Sequence, residues 1–194
     1  MKQRSNRTGT VSVDSLPPSL RGCVIALERC LELIHEIDDH TFQAPSAGHG
    51  TVGAHLRHCI EYFRCFLAEE QTGWVEYDAR ERDPELEVSR PLSQQAIEDL
   101  IVDLSDRGNR DLDRQVRIRQ SLAPDCPAEE VQSTVRREWM SLSDHTIHHL
   151  AIITQLVSGV PRESEHSVTE LGVAFSTQAH RAAISSSEDR VQRR

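Results

Sequence analysis

Ser143-Asp144-His145-Thr146-Ile147-His148-His149-Leu150 is the stretch on which the reading of this chain turns. His145 and His149 stand four apart, and on a helix residues at that spacing share a face. Leu142, Ile152 and Leu156 continue the same alternation of three- and four-residue steps, so both imidazoles join the apolar stripe of a long helix from about Arg136 to Ser158. A buried imidazole without a partner costs free energy. The pair therefore points either to hydrogen bonds with buried carbonyls and hydroxyls or to a shared metal ion. A pair at i and i+4 chelates one ion with little further ordering, and a third ligand from another helix leaves a coordination position open, as catalytic sites do. His58, in an upstream helical pattern, is the candidate third ligand.

Working outward, the periodicity marks three more long helices. Val24, Leu27, Leu31 and Ile34 form a stripe that begins behind Pro17-Pro18-Ser19 and fades near Asp39. After a loop from Ala44 to Gly50, Thr51 caps a second helix. Val52, Cys59, Phe63 and Phe66 lie on one side of it, and His55, His58, Tyr62 and Cys65 on the adjacent side. Ser93 starts a third, with Ala96, Leu100 and Leu104 inward and Gly108 at its end. Gly159 and Pro161 close the helix that carries the histidine pair. Between the third and last helices the period changes to two: Val116 and Ile118 alternate with arginines, and Val131 to Val135 repeats the alternation beyond Cys126-Pro127, a β-hairpin. The charged stretch from Trp74 to Pro91 reads as a structured loop, with Trp74 as a packing anchor. The expected architecture is all-α, a four-helix bundle with a short β-hairpin inserted before the last long helix. Residues 1–16 and 185–194 are expected to be disordered, with one domain over 17–184 and an ordered segment around Leu171-Gly172-Val173.

The formal charge of −9 argues against nucleic acid as a partner. No run approaches the roughly 20 apolar residues that span a bilayer, and the basic N-terminus lacks an apolar signal core. The five cysteines are odd in number and include no CxxC, which predicts reduced, mostly buried thiols in a cytoplasmic protein. A reactive Cys59 beside the histidines is the sharper alternative. Rival motifs fail. Residue 146 is Thr, not the Glu of a zinc-protease helix, and Glu32-Leu33-Ile34-His35 is a single Glu-x-x-His where a di-iron bundle needs two. There is no P-loop, dinucleotide fingerprint or nucleophile elbow.

Gly53-Ala54-His55-Leu56-Arg57-His58, together with His145 to His149, resembles the DinB-like family of metalloenzymes. A branch of that family carries a YDxRxRD loop, matched by Tyr77 to Asp83, an Arg-Glu pair, matched by Arg137-Glu138, and a Gly-Val-Ala-x-Ser-Thr segment, matched by Gly172 to Thr177. The similarity covers residues 18–181. It implies an up-down-down-up bundle, a homodimer, and Zn2+ or Ni2+ on His58, His145 and His149, with His55 and His148 as neighbours and His148 pointing away from the core stripe. It also implies a low-molecular-weight thiol activated for transfer to, or isomerisation of, an electrophilic small molecule. The run Gln178-Ala179-His180-Arg181 departs from the family's Tyr-Arg ending. Arg80 and Arg82 are candidate clamps for a substrate carboxylate, or else parts of an ion-pair network pinning the loop. No general base can be assigned. The non-enzymatic alternatives are a stress-related bundle with a structural metal and a dimerisation module with an empty site.

Overall fold

The computed structural model describes residues 13–46, 48–107, 111–158 and 170–182. Helix α1 (Pro18–Glu36) starts with proline in its first turn, where a missing N–H costs nothing. It buries Leu20, Val24, Leu27, Leu33 and Ile34, while Leu31 is half-buried at the margin of the core. A short α2 (Asp39–Gln43) is capped by Asp38, whose carboxylate accepts from the Thr41 amide at 2.8 Å. Helix α3 (Val52–Glu69) is capped by the Thr51 hydroxyl, which accepts from the Ala54 amide at 2.9 Å.

The charged stretch after α3 is more regular than a loop. It holds β1 (Trp74–Glu76), a 3-10 turn at Tyr77–Ala79 and a one-turn α4 (Glu85–Val88). The hairpin is present as β2 (Gln115–Gln120) and β3 (Glu129–Thr134), and β1 joins it in parallel to make a three-stranded sheet in the order β1-β2-β3. Val75 pairs with Ile118 in that register and is wholly buried. A strand of three residues is too short for an alternation of period two, so the sequence carried no sign of it. Helix α5 (Arg90–Arg107) begins three residues before Ser93, because Pro91 suits a first turn. Ser93 is not its cap; its hydroxyl is buried and donates to the Leu86 carbonyl at 2.6 Å. Helix α6 spans Val135–Leu156 and is capped by Thr134.

The four long helices surround one core: α1 packs on α5 and α6, and α3 packs on the same two. The protein is therefore mainly helical, with a small sheet at one flank. Trp139 of α6 is fully buried, 4.6 Å from the ring of Phe66 and 6.3 Å from that of Phe63, centroid to centroid. The N-terminal boundary lies earlier than residue 17: Val13–Ser15 forms a 3-10 turn and Leu16 is buried in the core. The expectations for residues 1–12 and 185–194, and for Gly108, Gly159 and Pro161, lie outside the described residues.

Two motif glycines are explained by close approach. A Cβ at Gly53 would lie 2.0 Å from the Glu87 carbonyl oxygen, so α3 and α4 meet backbone to backbone there. A Cβ at Gly172 would fall 2.4 Å from the Cα of Ala151, where the segment after residue 170 lies on α6. That segment is tied to α1 by Arg29, whose guanidinium donates to the carbonyls of Leu171 and Val173 at 3.1 Å and to Gln178 at 2.7 Å. Gln178 is thus a packing partner of α1.

Candidate metal centre

Helix α6 presents two faces. Leu142, Thr146, Leu150 and Ile153 form the buried seam, and the stripe of His145, His149, Ile152 and Leu156 is half-buried beside it. The sequence placed the histidines in the middle of the apolar stripe; they lie on its flank, within reach of ligands. His148 is exposed, its ring centroid 5.7 Å from that of His149.

Across from them, α3 brings His58. Its Nε2 lies 3.2 Å from Nε2 of His145, which lies 3.0 Å from Nε2 of His149. The donor atoms of the three residues all fall within 4.8 Å of one another. Tyr62, one turn after His58, packs its ring against those of both His58 and His145, at 4.7 and 4.8 Å, and stacks on Tyr77 at 5.0 Å.

The second nitrogens of these rings are also engaged. The His49 carbonyl can only accept, so His55 Nε2, 2.8 Å away, carries a proton there. His55 Nδ1 is then bare and accepts from Nδ1–H of His149 at 2.8 Å. That chain leaves the lone pair of His149 on Nε2, aimed into the cluster. Arg80 can only donate, and its Nη2 lies 3.3 Å from Nδ1 of His58, which puts the proton of neutral His58 on Nε2. His145 Nε2 accepts that proton and faces the bare Nε2 of His149. No arrangement of neutral tautomers satisfies all three converging nitrogens while both outer contacts are kept. A cation shared among the nitrogens fits this donor set, provided the His58 proton moves to Nδ1 and Arg80 yields that contact. Outer hydrogen bonds of this kind are typically worth about 10–100-fold in metal affinity. His55→Ala is therefore expected to weaken binding of Zn2+ by that factor in a competition titration with a chromophoric chelator; unchanged affinity would show that the relay does not orient His149.

Burial lowers the proton affinity of all three rings. His58 falls to about 4, helped by His145 and the Arg80 guanidinium, and His149 to about 3, helped by His145 and His58. His145 is lowered as well, by burial and then by His148 and Arg80. An unfolded imidazole titrates near 6.5. Between that value and the folded ones, the unfolded chain takes up protons that the folded chain refuses. The stability of the metal-free protein is thus fully present above about pH 6.5 and is lost as pH falls towards 4. Thermal unfolding between pH 7 and 4 should show this slope, and His149→Asn should flatten it. A wild-type midpoint constant from pH 7 to 5 would contradict it.

Arg80 and Arg82 part company. Arg80 is buried, 9% exposed, pairs with Glu61 at 3.5 Å, donates to the Tyr77 carbonyl at 3.0 Å and lies over the Tyr62 ring. Glu61 is 2% exposed and also accepts from the Asp83 amide at 2.9 Å and from Arg57 at 3.3 Å. Arg82 is exposed and its contacts are to the carbonyls of Arg80 and Asp78. The loop is held by an internal network: Arg80 is committed to Glu61, and Arg82 is exposed and bonded to the loop's own carbonyls.

Glu61 was not singled out from sequence. Glu61 is a lone carboxylate on the buried side of α3, and that placement is a signal. Glu138 is buried and accepts from the Tyr77 hydroxyl at 2.9 Å and the Ser133 hydroxyl at 2.6 Å, which joins the Tyr77–Asp83 loop, the sheet and α6. The Arg-Glu and YDxRxRD motifs thus meet in space. Cys23, Cys30, Cys59 and Cys65 are free and buried. Burial pushes the Cys59 thiol up to about 12, so the reading of Cys59 as a reactive thiol is overturned. Beside His145 a cavity of about 470 Å³ opens between α6 and the sheet, with Tyr62 and Tyr77 on one wall and Ile118, Val131 and Leu142 on another. No family model, curated protein or solved structure matches the chain.

Proposed function

We propose that this chain is a metal-binding protein of the DinB-like kind, in which His58, His145 and His149 hold Zn2+ or Ni2+ and a low-molecular-weight thiol is activated for transfer to an electrophilic small molecule. The observation that carries this reading is the convergence of three Nε2 atoms from two helices, 3.0 and 3.2 Å apart in sequence of contact, beside an open cavity. A cation bound there supplies Lewis-acid chemistry, lowering the pKa of a thiol or water beside it. The protein's own groups do the rest. His55 holds His149 in the ligating tautomer, the Arg80 guanidinium keeps positive charge near an anionic sulfur, and Tyr62 shields one side of the cluster from water. The ring of α1, α5, α3 and α6 supports the four-helix-bundle part of the reading, with the up-down-down-up order and a homodimer as its further terms. Free, buried cysteines support a cytoplasmic setting.

The contact of Arg80 with Nδ1 of His58 favours a second reading, a non-enzymatic bundle or dimerisation module whose site is structural or empty. The two separate in one experiment. Protein purified without a histidine tag is loaded with Zn2+ or Ni2+ and screened with several small thiols against alkylating and epoxide electrophiles, with a chelated control. Turnover that vanishes on chelation supports the enzyme. Metal uptake with no turnover of any pair supports the structural role.

A further inference from the structure

The cavity beside His145 has a charged end that the histidine cluster does not use. Arg137, Ser141 and His145 follow one another at steps of four along α6, so they share a face. Arg137 and His145 are eight residues apart, roughly 12 Å of helix rise. The Arg137 guanidinium reaches back to the Ser141 hydroxyl, which places its charge about one turn, roughly 6 Å, from the level of His145. Among the described residues no carboxylate forms an ion pair with Arg137, whereas Arg136 beside it is paired with Asp113. Among the described residues, Arg137 is also the one arginine or lysine lining the cavity. The neighbouring carboxylate, Glu138, has both oxygens engaged by Tyr77 and Ser133. The lining also holds the apolar side chains of Ile118, Val131 and Leu142, together with Gln120 and Gln132. Ile118 and Val131 are paired across β2 and β3, and Val131 is 54% exposed, a large apolar side chain left open to whatever occupies the cavity.

We propose that this groove binds a small amphiphile, its carboxylate held by Arg137 and Ser141 and its apolar body lying against Ile118, Val131 and Leu142 with its far end at His145. The cavity, about 470 Å³, lies within the range of small-ligand pockets. A guanidinium matches a carboxylate through two parallel hydrogen bonds. A single guanidinium matches a single carboxylate better than a phosphate dianion, and the Glu138 carboxylate in the same lining has its oxygens turned to the Tyr77 and Ser133 hydroxyls. The first turn of α6 adds its partial positive charge to the same end. On a chain of net charge −9, a local cation is what lets an anion dwell there. The chemistry at the far end rests on the reading of the histidines as a metal centre; the anion-binding end does not.

The test is an NMR titration of metal-free, 15N-labelled protein with hexanoate and, separately, with hexanol. Hexanoate should shift the Arg137 Nε–H and Ser141 amide signals saturably and bind at least about tenfold more tightly than hexanol. Arg137→Gln, a change at an exposed side chain bonded only to Ser141, should remove that preference while the rest of the spectrum stays in place. Equal affinity for hexanoate and hexanol in the wild type, a preference that survives in Arg137→Gln, or shifts centred away from α6 would each overturn the proposal. Zn2+ is then added in a separate run. Failure of the three imidazoles to shift would sink the metal reading and leave the result at Arg137 standing.

Discussion

Replacing His145 with alanine is expected to abolish stoichiometric metal binding. His145 is the middle member of the cluster, with its Nε2 3.2 Å from that of His58 and 3.0 Å from that of His149. Without it, two nitrogens on different helices remain, and the chelating pair on α6 is gone. Loss of an outer partner costs about 10–100-fold in affinity; loss of a ligand from a three-nitrogen set should exceed about 100-fold. Elemental analysis of untagged protein, dialysed against buffered Zn2+ or Ni2+, should find about one ion per chain in the wild type and almost none in His145→Ala. Equal metal content in the two proteins would defeat the assignment. The variant should still fold, since His145 is only half-buried and the seam of Leu142, Thr146 and Leu150 beside it is untouched.

Removing Glu61 should damage the fold more than any change at the histidines. Its carboxylate is 2% exposed and is the common partner of Arg80, Arg57 and the Asp83 amide. In Glu61→Ala the Arg80 guanidinium, 9% exposed, stays buried without its counter-ion. Stripping one partner from a buried pair typically costs about 3–5 kcal/mol. At about 2–4 °C per kcal/mol for a domain of this size, the melting temperature should drop by roughly 6–20 °C. Circular dichroism melts would show it, and a fall under about 3 °C would mean that Arg80 finds water or another acceptor. Glu61→Gln keeps the shape and should fall between the two. Arg80 also touches Nδ1 of His58, which ties the loop's packing to the site.

The long helices could be read from sequence because each repeats apolar residues over four or five turns, and such a stripe buries only one way. The caps at Thr51 and the hairpin alternation at Val116 and Ile118 carried equally local signals. Where the signal was short or shared between distant residues, the reading stopped. β1 has three residues and owes its existence to the edge that β2 offers. The start of α5 depended on whether Pro91 or Ser93 opened the first turn, and Ser93 turned out to serve the Leu86 carbonyl. Arg80 and Arg82 look alike in the sequence; one is buried against Glu61 and the other is exposed, and no periodicity distinguishes them.

By itself the sequence determined that His145 and His149 share a face, since the helical repeat is local, and that His58 lies on the flank of another helix. It determined the mainly helical class and the exclusion of the rival motifs. Only the tertiary structure decided that His58 reaches the pair, that the His49–His55 relay turns the His149 lone pair inward, and that Arg80 rests on His58. It also decided that Arg137, rather than Arg80 or Arg82, is the cation left at the cavity. The reason is physical: a helical repeat is set by neighbours within one turn, whereas the meeting of α3 and α6, and with it the partner of every charged group between them, is set by how all the helices pack at once.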